Sequence, residues 1–344
     1  MTIYVAAFLF SALIAKIGMD GKRYKDGKKW PVALVSMLPL FFLSAFRYYV
    51  GTDYGSYQRA FFTISQGGTT GMERLYVWIN QLIFKLGGGY EWVFIVTSAI
   101  VLIPTFLHIF DYSPYPIMSI LLLFGTTYYF AAFNGVRQLM ASAILMYSLR
   151  YVEQKRPIPF VILVIVATGF HQTSILFSFI YFTKDLKLTP LKAVIIAAAI
   201  LVFSNSIGEL ISKALLNTRY ATYVGKEEGR VATIRFAVQI SVLLLASVYR
   251  NKSDRFRIYY ATEFVAACCV PFGDTIAFSQ RMLWTFGYSI IVLIPMAIHE
   301  IQSKRSKMIV TVVTLSCYTA YAFITIGIFG DHDALPYQFV FGHI

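Results

Sequence analysis

The sequence predicts an all-α, polytopic integral membrane protein of roughly ten to eleven helices, half-helices included. Three observations predict it. Apolar runs of about twenty residues recur from one end of the chain to the other, which a bilayer requires and a soluble fold could not hide. Of 344 residues, 58% are hydrophobic and only 14% charged, whereas about 25% are charged in an ordinary soluble domain. The Lys and Arg gather in short loops between the apolar runs, the pattern that marks cytoplasmic loops. No long polar stretch remains to build a soluble domain. Residues 1–344 therefore read as a single transmembrane domain with a long external loop at about 47–90.

The net charge of +13 would suggest nucleic acid in a soluble protein. Here the topology accounts for it, and nucleic acid is excluded as a partner. Cys268, Cys269 and Cys317 lie within apolar runs without metal-ligand spacing and read as packing residues.

The basic loops at 20–29, 150–156, 250–257 and 300–307, with a weaker one at 184–192, set the direction of each element. Residues 3–17 form a first span going in, retained because its positive charge follows the apolar run; a signal peptide has the charge before it. Residues 30–46 go out. In the external stretch, 73–84 place Leu75, Ile79, Leu82 and Ile83 on one side and predict an interfacial or re-entrant helix. Residues 92–109 go in, 117–133 out and 139–152 in again. As one straight span, 158–182 would carry Lys184, Lys187 and then the 250–257 loop outside. Two half-helices broken near Gly169–His171 keep every basic loop inside, and Gly169 is a weak helix former. Such a break is stable only where it lines a cavity or is buried in protein, so His171 is expected to line a cavity. Then 191–203 go out, 205–230 form an external loop, 231–249 go in, 258–270 out, 282–299 in and 308–329 out, with the tail outside.

This topology gathers Arg47, Asp53, Arg137, His171, Arg219, Asp274 and Arg281 at the external ends of spans. Ionisable groups at membrane depth are costly and usually functional. Several Arg converging on one cavity suit phosphate, which they bind bidentately and always charged; singly, each would equally suit interfacial snorkelling. Asp53 follows Gly51 in a Tyr-rich segment, with Tyr54 and Tyr57 offering ring faces and hydroxyls. Asp331-His332-Asp333 has the acid–x–acid look of a metal site, but reads as a solvated acidic patch.

In order, the short motifs are Arg47 with Val50-Gly51-Thr52-Asp53-Tyr54 and Tyr57, then Arg137-Gln138, Phe170-His171 with Ser174, and Arg219-Tyr220 with Tyr223. Carried on a polytopic frame, they resemble the EpsG family of polysaccharide polymerases, relatives of the Wzy O-antigen polymerases. Ile175 stands where that family ordinarily has a small residue. The resemblance implies a GT-C-like architecture in the bacterial cytoplasmic membrane, with the active site on the outer face. It implies a glycosyltransferase that moves a growing glycan from undecaprenyl pyrophosphate onto the non-reducing end of another lipid-linked unit. A chain-length regulator and a flippase are the implied protein partners.

The residues suit that chemistry. A departing pyrophosphate gathers negative charge that a metal or fixed cations must stabilise. Arg47, Arg137, Arg219 and Arg281 are available, with Gln138, Tyr54, Tyr57, Tyr220 and Tyr223 as further contacts to phosphate or glycan. The expected enzyme uses no metal and no cofactor. The acceptor hydroxyl needs a base: His171, by its ordinary pKa, or Asp53. A flippase or other transporter would also place Arg in a cavity, but the sequence shows no internal repeat. A membrane acyltransferase would need its His on the cytoplasmic side. A non-catalytic scaffold in a glycan-assembly complex is a further alternative.

Overall fold

The computed structural model describes residues 1–183, 189–215, 230–249, 252–274 and 279–342. Arg219, Tyr220 and Tyr223 lie outside the described residues, as does most of the 205–230 loop. The described residues are helical almost throughout, and the one pairing of extended backbone is an antiparallel bridge between Arg47 and Phe339.

The helices used below are α1 Thr2–Asp20, α2 Trp30–Ala45, α3 Tyr54–Ser65, α4 Arg74–Lys85, α5 Glu91–Tyr112, α6 Pro116–Gly125, α7 Tyr128–Asn134, α8 Val136–Glu153, α9 Pro157–Phe170, α10 Pro190–Leu215, α11 Arg230–Ser247, α12 Asp254–Cys269, α13 Ser279–Phe286, α14 Ile290–His299 and α15 Lys304–Ala322. Five stretches are helical, long and apolar enough to cross a membrane: Thr2–Asp20, Glu91–Tyr112, Leu191–Leu210, Arg281–His299 and Lys304–Ile328. With the bent pair α6–α7 taken as one span there are six. Helices Trp30–Ala45, Pro157–Phe170 and Val238–Ser247 are apolar but shorter. The chain is thus a multi-pass, all-α membrane protein. By length and composition the described helices supply fewer spans than the ten or so expected. One reason is visible in α8: its 18 residues include Arg137, Arg150 and Glu153 at the two ends, so a central helix carries its polar groups within its own length.

The packing follows a simple row. α1 packs on α2, α2 on α5, α5 on α8 and α8 on α9, while α13 closes against α8 and α12. α8 is at the centre, with Leu139, Met140, Ala141 and Leu145 fully buried. Small residues let neighbours approach closely, as membrane helix packing requires; a side chain at Gly125 of α6 would collide with Tyr318 of α15.

The two ends of the 18-residue α8 lie about 26 Å apart at 1.5 Å per residue, and each anchors a polar cluster. At the C-terminal end Arg150 pairs with Asp111 (3.1 Å) and lies over the Tyr147 ring, while Arg255 pairs with Glu153 (2.9 Å) and lies over Tyr112. Two of the basic loops are pinned to the bundle there. The N-terminal end carries the candidate site.

The break expected near Gly169–His171 is present. α9 ends at Phe170, His171 is extended (φ −149°, ψ 116°), and a tight 3₁₀ helix over Gln172–Phe179 packs back on α9. The amphipathic helix expected over 73–84 is α4, buried through Tyr76, Ile79, Asn80 and Ile83. Three features differ from the sequence reading. Residues 205–215, expected in an external loop, continue the helix α10. The 117–133 run is not one straight helix: α6 and α7 meet at 51°, with Thr127 at φ 61°. The tail, expected only to lie outside, is also tied to the bundle. Tyr4 donates to the Ala334 carbonyl (2.9 Å), Tyr337 to Leu43 (2.9 Å), and the Gly51 amide to the Asp333 carbonyl (2.9 Å). The tail thus straps the first long loop.

Candidate active site

Four chain breaks converge on the N-terminal end of α8. Gly135 ends α7 and begins α8, bringing Asn134 and Arg137 to the same turn. Asp53 and Glu73 occupy the positions just before α3 and α4, where a carboxylate is favoured by the free amides and the helix dipole. His171 sits in the break after α9.

Glu73 holds these pieces together. One of its oxygens accepts a hydrogen bond from Arg137. The other accepts from the Gln172 amide (3.3 Å) and lies 3.7 Å from His171 Nδ1. Arg137, Glu73 and His171 expose only 23%, 12% and 11% of their side chains, so the pairing is shielded from the solvent screening that weakens surface ion pairs. Tyr57, buried on the inner face of α3, donates to the Asn134 carbonyl (3.1 Å) beside Arg137.

Arg281, in the first turn of α13, reaches the same place. Gln138 donates to the Arg281 carbonyl and to Thr285 Oγ1 (3.2 Å), fixing α13 against α8. Asp53 lies within the field of both Arg281 and Arg137. Burial raises its pKa from the ordinary carboxylate range, and the two guanidinium groups oppose the rise.

The structure therefore brings together Asp53, Tyr57, Arg137, His171 and Arg281, with Gln138 as the tie beneath them. Arg47 and Tyr54 stand apart. Arg47 is 2% exposed and lies over the rings of Phe94 (4.6 Å) and Phe133 (4.8 Å). It donates to the carbonyls of Ser44 and Val50. Tyr54 stacks on Phe94 at 4.5 Å. Both belong to an aromatic cage under the first loop, well suited to a cation without a carboxylate partner.

Glu73 went unnoticed in the sequence because it opens an amphipathic helix, where an acid is an ordinary capping choice. Its one signal is position: it begins the helix that packs on α9, next to the break at His171. His332, read in the sequence only as part of the acidic 331–333 patch, also reaches this region: Asn134 Nδ2 donates to its Nδ1 (2.9 Å) and its ring lies 6.1 Å from that of Trp284.

The described residues form a helical, multi-pass membrane protein with two acids, a His and two Arg gathered at one end of its central helix. The chain is a member of the EpsG family, whose pattern matches residues 31–339. No curated protein and no solved structure matches it.

Proposed function

We propose that the protein is a polysaccharide polymerase: a glycosyltransferase that joins lipid-linked oligosaccharide units, working at the outer face of the bacterial cytoplasmic membrane without a metal. Family membership supports a membrane polymerase of this general kind. The observation that carries the specific reading is Glu73, shared between Arg137 and His171.

In this reading Arg137 and Arg281 take the donor's pyrophosphate. Their fixed charges lie where negative charge develops as the glycosidic carbon–oxygen bond breaks and its electron pair moves to phosphate. The acceptor sugar hydroxyl attacks the anomeric carbon, forming the new bond. His171 takes the hydroxyl proton through Nε2, the nitrogen turned away from Glu73. Glu73 acts as a positioning residue, orienting the imidazole through Nδ1 as a carboxylate does in other base–orienter pairs. Asp53, within the field of both Arg, balances their charge when no substrate is present. Tyr57 and Gln138 brace Arg137 and α13. Arg219, Tyr220 and Tyr223 remain candidates for glycan or phosphate contact.

The test is a chromosomal deletion complemented with wild type or with Arg137→Ala, followed by glycan analysis. A ladder collapsed to one repeat unit in the variant is the expected result. Loss of all surface glycan would instead indicate a flippase, and an unchanged ladder would remove Arg137 from the chemistry.

A further inference from the structure

The break between α6 and α7 borders a cavity of about 500 Å³, lined by Thr126, Thr127 and Tyr128 on one side. Non-helical backbone at membrane depth persists where it lines a cavity or is covered by protein, so the bend and the cavity belong together. The opposite walls come from α11, α14 and α15 and are largely apolar, with Val242, Ile294 and Val313 among them. α15 turns other large apolar residues outward, including Met308, Ile309 and Val312. Val313 and Cys317 line the cavity and are themselves exposed, so it opens onto the lipid-facing surface of α15.

One end of the cavity is formed by Trp284 and His332. Trp284 is three residues from Arg281 on α13, and a methyl group at Gly135 would come within 2.6 Å of its ring. The turn that carries Arg137 and the helix that carries Arg281 thus meet at the wall of the cavity. An occupant with a hydrocarbon chain in the cavity would present an anionic head to those two guanidinium groups.

We propose that this cavity is a hydrocarbon-chain site that holds the phosphate-proximal isoprenoid units of one lipid-linked substrate. Assigning the chain as isoprenoid rests on the polymerase reading; a single anionic lipid chain follows from the cavity itself. Its volume falls within the range of about 300–1,000 Å³ that suits one compact ligand, and Trp284 in its lining lies one helical turn from Arg281. One chain with one anionic head matches one cavity beside one cationic cluster.

Cys317 lines the cavity and supplies a reporter. In the purified full-length chain carrying Cys268→Ala and Cys269→Ala, an apolar maleimide should label Cys317. Undecaprenyl phosphate should slow that labelling several-fold, whereas inorganic pyrophosphate and a dioleoyl phosphatidylglycerol should not. Thr314→Trp, which fills the cavity, should abolish the protection. Protection equal with phosphatidylglycerol, or none with undecaprenyl phosphate, would overturn the site. On the unaltered chain, a diazirine-bearing polyprenyl phosphate should crosslink within α11, α14 or α15, and crosslinks confined to helices that do not line the cavity would also overturn it. Protection of Cys317 together with normal polymer from Arg137→Ala would sink the catalytic reading and leave the chain site standing. Polymer lost in Arg137→Ala without protection would do the reverse.

Discussion

Glu73 and His171 face each other at 3.7 Å, joining a helix start to a helix break 98 residues further along the chain. The same carboxylate also receives Arg137, so a single acid aims a candidate base and a candidate phosphate ligand. Replacing Glu73 by Gln keeps its size and one acceptor but removes the charge. We expect polymer formation to fall about a hundredfold or more, the scale of a lost acid–base contribution, mostly in kcat. Glu73→Asp, which keeps the charge on a shorter arm, should recover part of it. A purely structural role would lower the melting temperature of both variants and leave kcat of the folded fraction unchanged.

Asp53 gives a pH signature. Burial raises its pKa, and Arg281, then Arg137, oppose the rise. Arg281→Gln removes the first of these opposing charges, so the pKa should move further up. The ionised form of Asp53 is the one that holds the remaining Arg, and it then requires a higher pH. The acid limb of polymerisation activity should therefore shift to higher pH in Arg281→Gln, with the alkaline side of the profile less affected. A limb that stays in place, or moves down, would disconnect Asp53 from the reaction.

The sequence makes the apolar elements legible because each is one run of hydropathy with charge at its ends. The spans at 3–17, 92–109, 282–299 and 308–329 correspond to helices with nearby limits, and charge bookkeeping alone locates the break at His171. The bend at Thr126–Thr127 was not legible, because an unbroken apolar run hides a turn that only tertiary packing stabilises. α3 was missed for a related reason: its buried face consists of Tyr54, Tyr57, Ala60, Phe61 and Ile64, mixed with polar residues and preceded by a Gly-containing turn. At the site, residue type pointed to Arg137, Arg281, His171 and Asp53. Residue type could not distinguish Arg47, which is equally basic and equally near a helix end. Its aromatic cage is assembled from Phe94 and Phe133, far off in sequence.

That cage separates the two Arg experimentally. Arg47→Ala removes two hydrogen bonds from a charged donor and two ring contacts, all buried. The expected cost is on the order of 3–5 kcal/mol, seen as a lower melting temperature and a poor yield of folded protein. Arg137→Ala leaves the Glu73 carboxylate short of one partner but empties no aromatic cage, so it should melt above Arg47→Ala and still fail to make long polymer. A normally stable Arg47→Ala protein without polymer would instead move Arg47 into the substrate site.

Gly51 controls where Asp53 stands. Its φ of +102° is accessible to glycine and strained for other residues, and a Cβ there would lie 2.9 Å from both the Phe133 Cβ and its carbonyl oxygen. Its amide also ties the tail through the Asp333 carbonyl. Gly51→Ala should cost about 1–3 kcal/mol in backbone strain alone, with the Phe133 contact adding to it, and should displace Asp53 two residues on. Gly55 is the matched control. It lies within α3, has ordinary helical geometry, and its Cβ would meet only the mobile end of Arg59 at 3.3 Å. Gly55→Ala should be neutral or stabilising by about 0.5–1 kcal/mol. Thermal unfolding in detergent, paired with polymer length, checks both substitutions. Equal melting temperatures for the two variants would show that the first loop does not need the left-handed turn to hold Asp53 against Arg281.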